Sequence, residues 1–154
     1  MLGRHHETIV VPLLDEESTR RALDVACRLA ADRESRLLLI APLFVELELP
    51  IDAHFEAEEA SLRAELRRKQ AVAESSGVPS DGRIVRARHG ELGLGVARAA
   101  AEANASLVVV GAAIAPRRGF RRPFSRDVWS VLQDAPCPVL LATAATDQPW
   151  RAAA

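Results

Sequence analysis

Apolar residues in this chain fall into short unbroken blocks, separated by longer stretches where they recur every three or four positions. Thr8 to Leu14 (TIVVPLL) is the first block. A continuous run of this kind suits a strand buried on both faces. Pro12 has no N–H to give a ladder, which sets it near the end of that strand. The acidic stretch from Asp15 suits a helix start, because carboxylates are stabilised by the positive end of the helix dipole. Leu23, Ala26, Cys27 and Ala30 then follow at i, i+3, i+4 and i+7, one helical stripe.

The alternation continues along the chain. Arg36–Leu43 (RLLLIAPL) predicts a second buried strand, and 44–52 a loop broken by Pro50. Ala53–Ser76 predicts a long, highly charged helix with Phe55, Leu62, Leu66 and Ala73 on one side, stopped by Gly77. Arg83–Arg88 alternates more strongly and suits a strand nearer the sheet edge. Gly90 marks a turn, and Glu91–Asn104 a helix with Val96, Ala99, Ala100 and Ala103 inward. Leu107–Val110 predicts a fourth strand, Ser125–Asp134 a fourth helix, and Pro138–Ala142 a fifth strand. Residues 1–7 and 144–154 read as tails around one domain, 8–143. Strands alternating with helices imply an α/β fold, a single Rossmann-like domain with a five-stranded parallel sheet and helices on both faces. The expected strand order is 3-2-1-4-5. In such sheets ligands sit at the carboxyl ends of the strands, where strand order reverses.

Composition adds bounds. The 154 residues are one domain's worth and 49% hydrophobic, but with no Tyr, two Trp and four Phe the core must be aliphatic. No apolar run approaches the ~20 residues of a membrane span. The N-terminal MLGRHHE lacks a secretory apolar stretch, so a cytoplasmic setting is expected. Charge is uneven: residues 1–80 carry ten basic and fifteen acidic residues, net −5, and residues 81–154 carry ten and six, net +4. Arginine supplies 19 of the 20 basic residues.

Three stretches carry a family resemblance: TIVVPLLDEESTRRALDVACRLA, RHGELGLGVARAAAEANASLVVVGA, and above all VWSVLQDAPCPVLLAT. Through them, residues 8–143 resemble the universal stress protein family. The resemblance implies a regulatory or protective role without efficient catalysis, often a homodimer through the fifth strand (138–142), and in many members bound ATP or another adenine nucleotide. The candidate contacts for such a nucleotide are Pro12, Leu13, Leu14 and Asp15, Ala41, His89 and Gly90, Gly111 and Ala112, and Arg117, Arg118, Arg122, Ser125 and Arg126, the arginines standing in for the family's glycine cradle.

The chain departs from the pattern of the ATP-binding members at both ends of that set. Their phosphate loop reads Gly-x-x-Gly, about nine residues, then Gly and Ser or Thr. Glycines let the backbone approach phosphate, and N–H groups at a helix start point at the anion. Gly111 fits the first glycine, Ile114 replaces the second, and Ser125 and Arg126 stand at the final pair; Gly119 is displaced. The family's first-strand Asp is Leu14 here, with Asp15 one residue later. The arginine-rich PRRGFRRPFSRDVWSVL and the segment PLFVELELPIDAHFEAEE are similar to universal stress domains attached to membrane transporters. That likeness implies the alternative reading, an interaction domain without nucleotide that works with a membrane transporter.

Residue by residue, two readings stay open. Arg117, Arg118, Arg121, Arg122 and Arg126 suit bidentate phosphate binding, a solvated loop, or a face for acidic lipid or protein. Nucleic acid is not expected, since the net charge of −1 leaves the chain near neutral overall. Ser125 suits a helix cap and a ligand contact. Asp127 suits the helix dipole and would repel a phosphate. His89–Gly90 suits a surface turn at the cleft rim. Cys27 and Cys137 suit packing roles, and neither they nor His5–His6 have metal-ligand spacing. No set of nucleophile, base and orienting group is present to support hydrolysis.

Overall fold

A computed structural model describes residues 6–113 and 124–143. Nine elements follow one another in strict alternation: β1 (Thr8–Pro12), α1 (Glu16–Arg33), β2 (Arg36–Phe44), α2 (Glu56–Ser75), β3 (Ser80–Ala87), α3 (Leu92–Glu102), β4 (Ala105–Ala112), α4 (Arg126–Asp134) and β5 (Val139–Thr143). The strands form one parallel sheet in the order β3-β2-β1-β4-β5, as the alternation predicts.

Side chains alternate across a strand, so one sheet builds two cores. Ile9, Val11, Leu37, Leu39, Ala41 and Val109 pack with Ala22, Ala26, Cys27 and Ala30 of α1 and Leu66 and Ala73 of α2. Val10, Leu38, Ile40 and Val108 pack with Leu92, Val96 and Ala99 of α3 and Val131 of α4. Val110 and Ala112 extend the second layer under Val128 of α4. β1 is buried along its whole length, which is why its sequence reads as an unbroken apolar block.

Element bounds differ from the sequence pattern where a polar group takes over the backbone. β1 ends at Pro12, two residues early: Leu13 N–H still donates to the Ile40 carbonyl at 2.7 Å, but Leu14 N–H donates to Thr19 Oγ1 at 2.9 Å, inside α1. β3 begins at Ser80, three residues early, because it is an edge strand whose Asp81, Gly82 and Arg83 face water and hide the apolar rhythm. Arg36 holds the start of this pair to Asp81 at 2.6 Å. β4 runs over Ala105–Ala112 and not only 107–110. α2 starts at Glu56 and not Ala53, since Arg86 on β3 binds the carbonyls of Ile51 and Ala53 and keeps them out of a helix.

Two glycines are required by close packing. A Cβ on Gly111 would lie 1.9 Å from the Ser18 carbonyl oxygen, so the end of β4 touches the first turn of α1. A Cβ on Gly93 would lie 2.0 Å from the Ser130 carbonyl oxygen, where α3 meets α4. In both cases the obstructing atom is backbone and cannot rotate away. Gly111→Ala and Gly93→Ala are each expected to cost about 1–3 kcal/mol, the usual range for overpacking. Urea unfolding measures this, and a variant as stable as the parent would show that the two backbones part freely.

Candidate functional site

Strand order reverses between β1 and β4, and a cleft opens there at the carboxyl ends of the strands. Leu14, Asp15, Phe44, Gly111, Ala112, Ala113, Ser125, Asp127 and Val128 line it around about 240 Å³. Leu14 and Phe44 give it an apolar wall on the β1–β2 side, and Val128 closes the other side. Two helix starts supply its polar groups. Asp15 caps α1, accepting from Ser18 N–H at 2.9 Å. Ser125 caps α4, accepting from Val128 N–H at 3.3 Å. The Ser18 backbone bond holds the Asp15 carboxyl below its ordinary value, so it stays an acceptor.

A second cluster forms the rim. Asp127 in the first turn of α4 accepts from the Gly90 N–H at 2.8 Å and lies 3.3 Å from His89 Nδ1. The His89 ring stacks on Phe44, centroids 4.0 Å apart and 12° from parallel. The Arg126 guanidinium lies beside Gly90. Deeper in, Ser130 Oγ accepts from Gly93 N–H at 2.9 Å and donates to the Asp127 carbonyl at 2.8 Å. The side chains of α4 thus satisfy N–H groups at the start of α3, which has no side-chain cap of its own. The charge of Asp127 is already engaged by the β3–α3 turn.

Of the residues singled out in the sequence, the structure gathers Leu14, Asp15, Gly111, Ala112 and Ser125 around the cleft. Gly111 has a packing reason of its own in the Ser18 carbonyl. Pro12 is buried as the last residue of β1; Leu13 and Ala41 lie in the α1–α2 core, away from the cleft. His89, Gly90 and Arg126 form the rim. Arg117, Arg118, Arg121 and Arg122, with Ile114 and Gly119, lie outside the described residues. Sequence reasoning missed Phe44, Ala113 and Val128, and gave Asp127 no bonding role. Phe44 was detectable in principle: it continues the even-numbered face of β2 begun by Leu38 and Ile40.

Larger cavities lie elsewhere. One of about 540 Å³ runs along β3 between α2 and α3. Three of its four arginines already have carboxylates: Arg83 meets Glu102 at 2.6 Å, and Arg86 and Arg63 both meet Glu59. It lies on the edge strand β3, two strands away from the point where strand order reverses. Among the described residues no group of three His, Cys, Asp or Glu could hold a metal ion. Burial pushes both thiols, Cys27 and Cys137, up from their ordinary value, which disfavours thiolate chemistry. No described helix is long and apolar enough to cross a membrane.

Because the folded carboxyl of Asp15 is held low, its contribution to stability is present above the unfolded value of about 3.9 and is lost as pH falls through the lower folded value. Asp15→Ala should cost about 1 kcal/mol at neutral pH, whereas Asp15→Asn keeps an acceptor and costs less. In thermal unfolding between neutral pH and pH 3, the Asn variant should lose less stability than the parent. Parallel pH curves for the two would remove Asp15 as a titrating cap.

The family model for the universal stress protein family matches residues 5–143. A universal stress protein structure from Burkholderia pseudomallei is 27% identical, with a TM-score of 0.64 over 92% of this chain and 99% of that one. The universal stress protein from Archaeoglobus fulgidus in complex with dAMP is 16% identical, with a TM-score of 0.68 over 88% and 97%. A universal stress protein in complex with cAMP is 22% identical, with a TM-score of 0.67 over 90% and 97%. Among curated proteins no sequence matches significantly. With the family matched along nearly the whole described domain and the sheet in the same order that its sequence pattern implies, this chain belongs to the universal stress protein family.

Proposed function

We propose that this domain is a regulatory module that binds an adenine nucleotide, of monophosphate size, in the cleft at the ends of β1 and β4. The observation that carries this is the cleft's division into an apolar end, Leu14, Phe44 and Val128, and a polar end made by two helix starts. A flat base suits the first. A ribose hydroxyl suits the second carboxylate oxygen of Asp15, and an anion suits the start of α4. At about 240 Å³ the cleft lies under the ~300–1,000 Å³ of most small-molecule sites, which favours a monophosphate over ATP. That two similar structures are complexes with dAMP and cAMP supports the same choice. Arg117, Arg118 and Arg122 belong to the segment joining β4 to α4 and would add positive charge in place of the missing glycine.

The role is regulatory and not catalytic. Asp15 and Asp127, the carboxylates of the cleft lining, both accept from backbone N–H groups, which suits them to holding the helix starts and not to acid–base work. A second reading follows from Leu14 standing where an acidic residue would be expected. The domain then acts by contact, with a membrane transporter as its partner, and binds no nucleotide. In either reading β5 is the place for self-association: it ends the sheet, and Val139, Leu140 and Leu141 are only half-buried. Sedimentation velocity should then show a dimer; a monomer at high concentration would remove β5 as an interface.

Thermal unfolding with AMP, cAMP, dAMP and ATP, with and without Mg²⁺, tests the first reading. A ligand at 100-fold its Kd stabilises by about 2.7 kcal/mol, several degrees for a domain of this size. The monophosphates should shift the midpoint more than ATP. Ala113→Trp places a ring in the cleft from an exposed position and should abolish the shift without changing the ligand-free midpoint. Arg117→Glu with Arg122→Glu should also abolish it. No shift with any nucleotide would favour the contact reading.

A further inference from the structure

The β2–α2 loop holds apolar side chains out in water. Leu47 is 79% exposed, Ile51 44% and Leu49 39%. An apolar loop left to itself would turn these inward, but this one is fixed from β3 and the turn that follows it. Arg88 donates to the carbonyls of Glu46 at 2.6 Å and Leu49 at 3.0 Å. Arg86 donates to the carbonyls of Ile51 at 3.1 Å and Ala53 at 2.6 Å and pairs with Glu59. Turn bonds from Leu49 N–H to the Glu46 carbonyl and from Ala53 N–H to the Pro50 carbonyl complete it. Residues 46–59 include six acidic residues and no Lys or Arg; Glu59 is paired with Arg63 and Arg86, which leaves Glu46, Glu48, Asp52, Glu56 and Glu58 against the Arg88 guanidinium on the loop carbonyls.

We propose that this loop is a docking surface for a different protein, which presents an amphipathic basic segment: apolar side chains that cover Leu47, Leu49 and Ile51, bordered by Lys or Arg. Charge selects this occupant. An anionic membrane surface is repelled by the acidic border. A two-fold contact between copies would set Glu46 and Glu48 against their own equivalents. A basic border on the partner is attracted and speeds encounter. The fixed backbone lowers the ordering cost of binding, and exposed leucines within a charged border make anchors for it. The cleft is not needed for this contact, so it is tested on the ligand-free protein.

The probe is a helical peptide of Leu and Lys with Leu on one stripe; its counterpart carries Glu in place of each Lys. The Lys peptide should bind, with affinity falling as salt rises, and the Glu peptide should not. Leu47→Ser with Leu49→Ser should weaken binding at least about tenfold. These side chains are exposed, so the midpoint of thermal unfolding should not move. Glu46→Lys with Glu48→Lys should slow association and reverse its dependence on salt. Arg88→Met leaves every leucine in place and should weaken binding by releasing the loop. Failure of the Lys peptide to bind, or equal affinity for the Leu47→Ser/Leu49→Ser variant, overturns the proposal. Concentration-dependent self-association that this double variant abolishes would make the surface a contact between copies. Co-sedimentation with phosphatidylserine vesicles, lost in the same variant, would make it a membrane contact; either result also overturns it.

Discussion

β1 is covered on both faces and paired on both edges, and the position of the cleft follows from that one condition. Both neighbours of β1 run parallel to it, so each must be reached by a crossover over a face of the sheet. The chain must leave over one face to build β2 and β3, and later return over the other to build β4 and β5. α1 and α2 lie on the first side and α3 and α4 on the second. The chain therefore departs to opposite faces at the neighbouring ends of β1 and β4, and the cleft lies between those ends. Gly111 sets how narrow that gap is, since the Ser18 carbonyl sits where its side chain would be.

The fold was legible because the sheet is doubly covered. Buried strands and one-sided helices differ in period, and both periods are clean in this aliphatic sequence. What escaped were places where one side chain governs backbone far away in sequence. Arg86 shortens α2 from a strand that follows it, and Thr19 ends β1 from within α1. The site was legible in part for the same reason. Asp15, Gly111 and Ser125 could be placed by their position between elements, because strand ends and helix caps are local features. Phe44 was assigned to the loop 44–52, although it continues the face of β2 that carries Leu38 and Ile40. Asp127 is bonded to a turn 37 residues away, and no local pattern announces such a contact.

The cleft and the β2–α2 loop meet through two consecutive residues. Arg88 holds the loop, and His89 stacks on Phe44 and reaches Asp127. The turn after β3 is therefore a shared support: whatever alters the first turn of α4 acts on the same short segment that fixes the outer loop. Ser130 extends that support into α3, so the starts of α3 and α4 form one hydrogen-bonded body.

Arg86 of β3 and Arg88 just after it bind the loop by its carbonyl oxygens, and every residue type has that group in common. The shape of the loop is thus nearly independent of the side chains it carries. Leu47, Glu48 and Leu49 can each be exchanged without loss of the scaffold, so mutation can rewrite what this face recognises while stability stays constant. Arg86 and Arg88 cannot be exchanged so freely. The side chains of the loop are thus the part of this face that tolerates exchange, and its two arginines the part that does not.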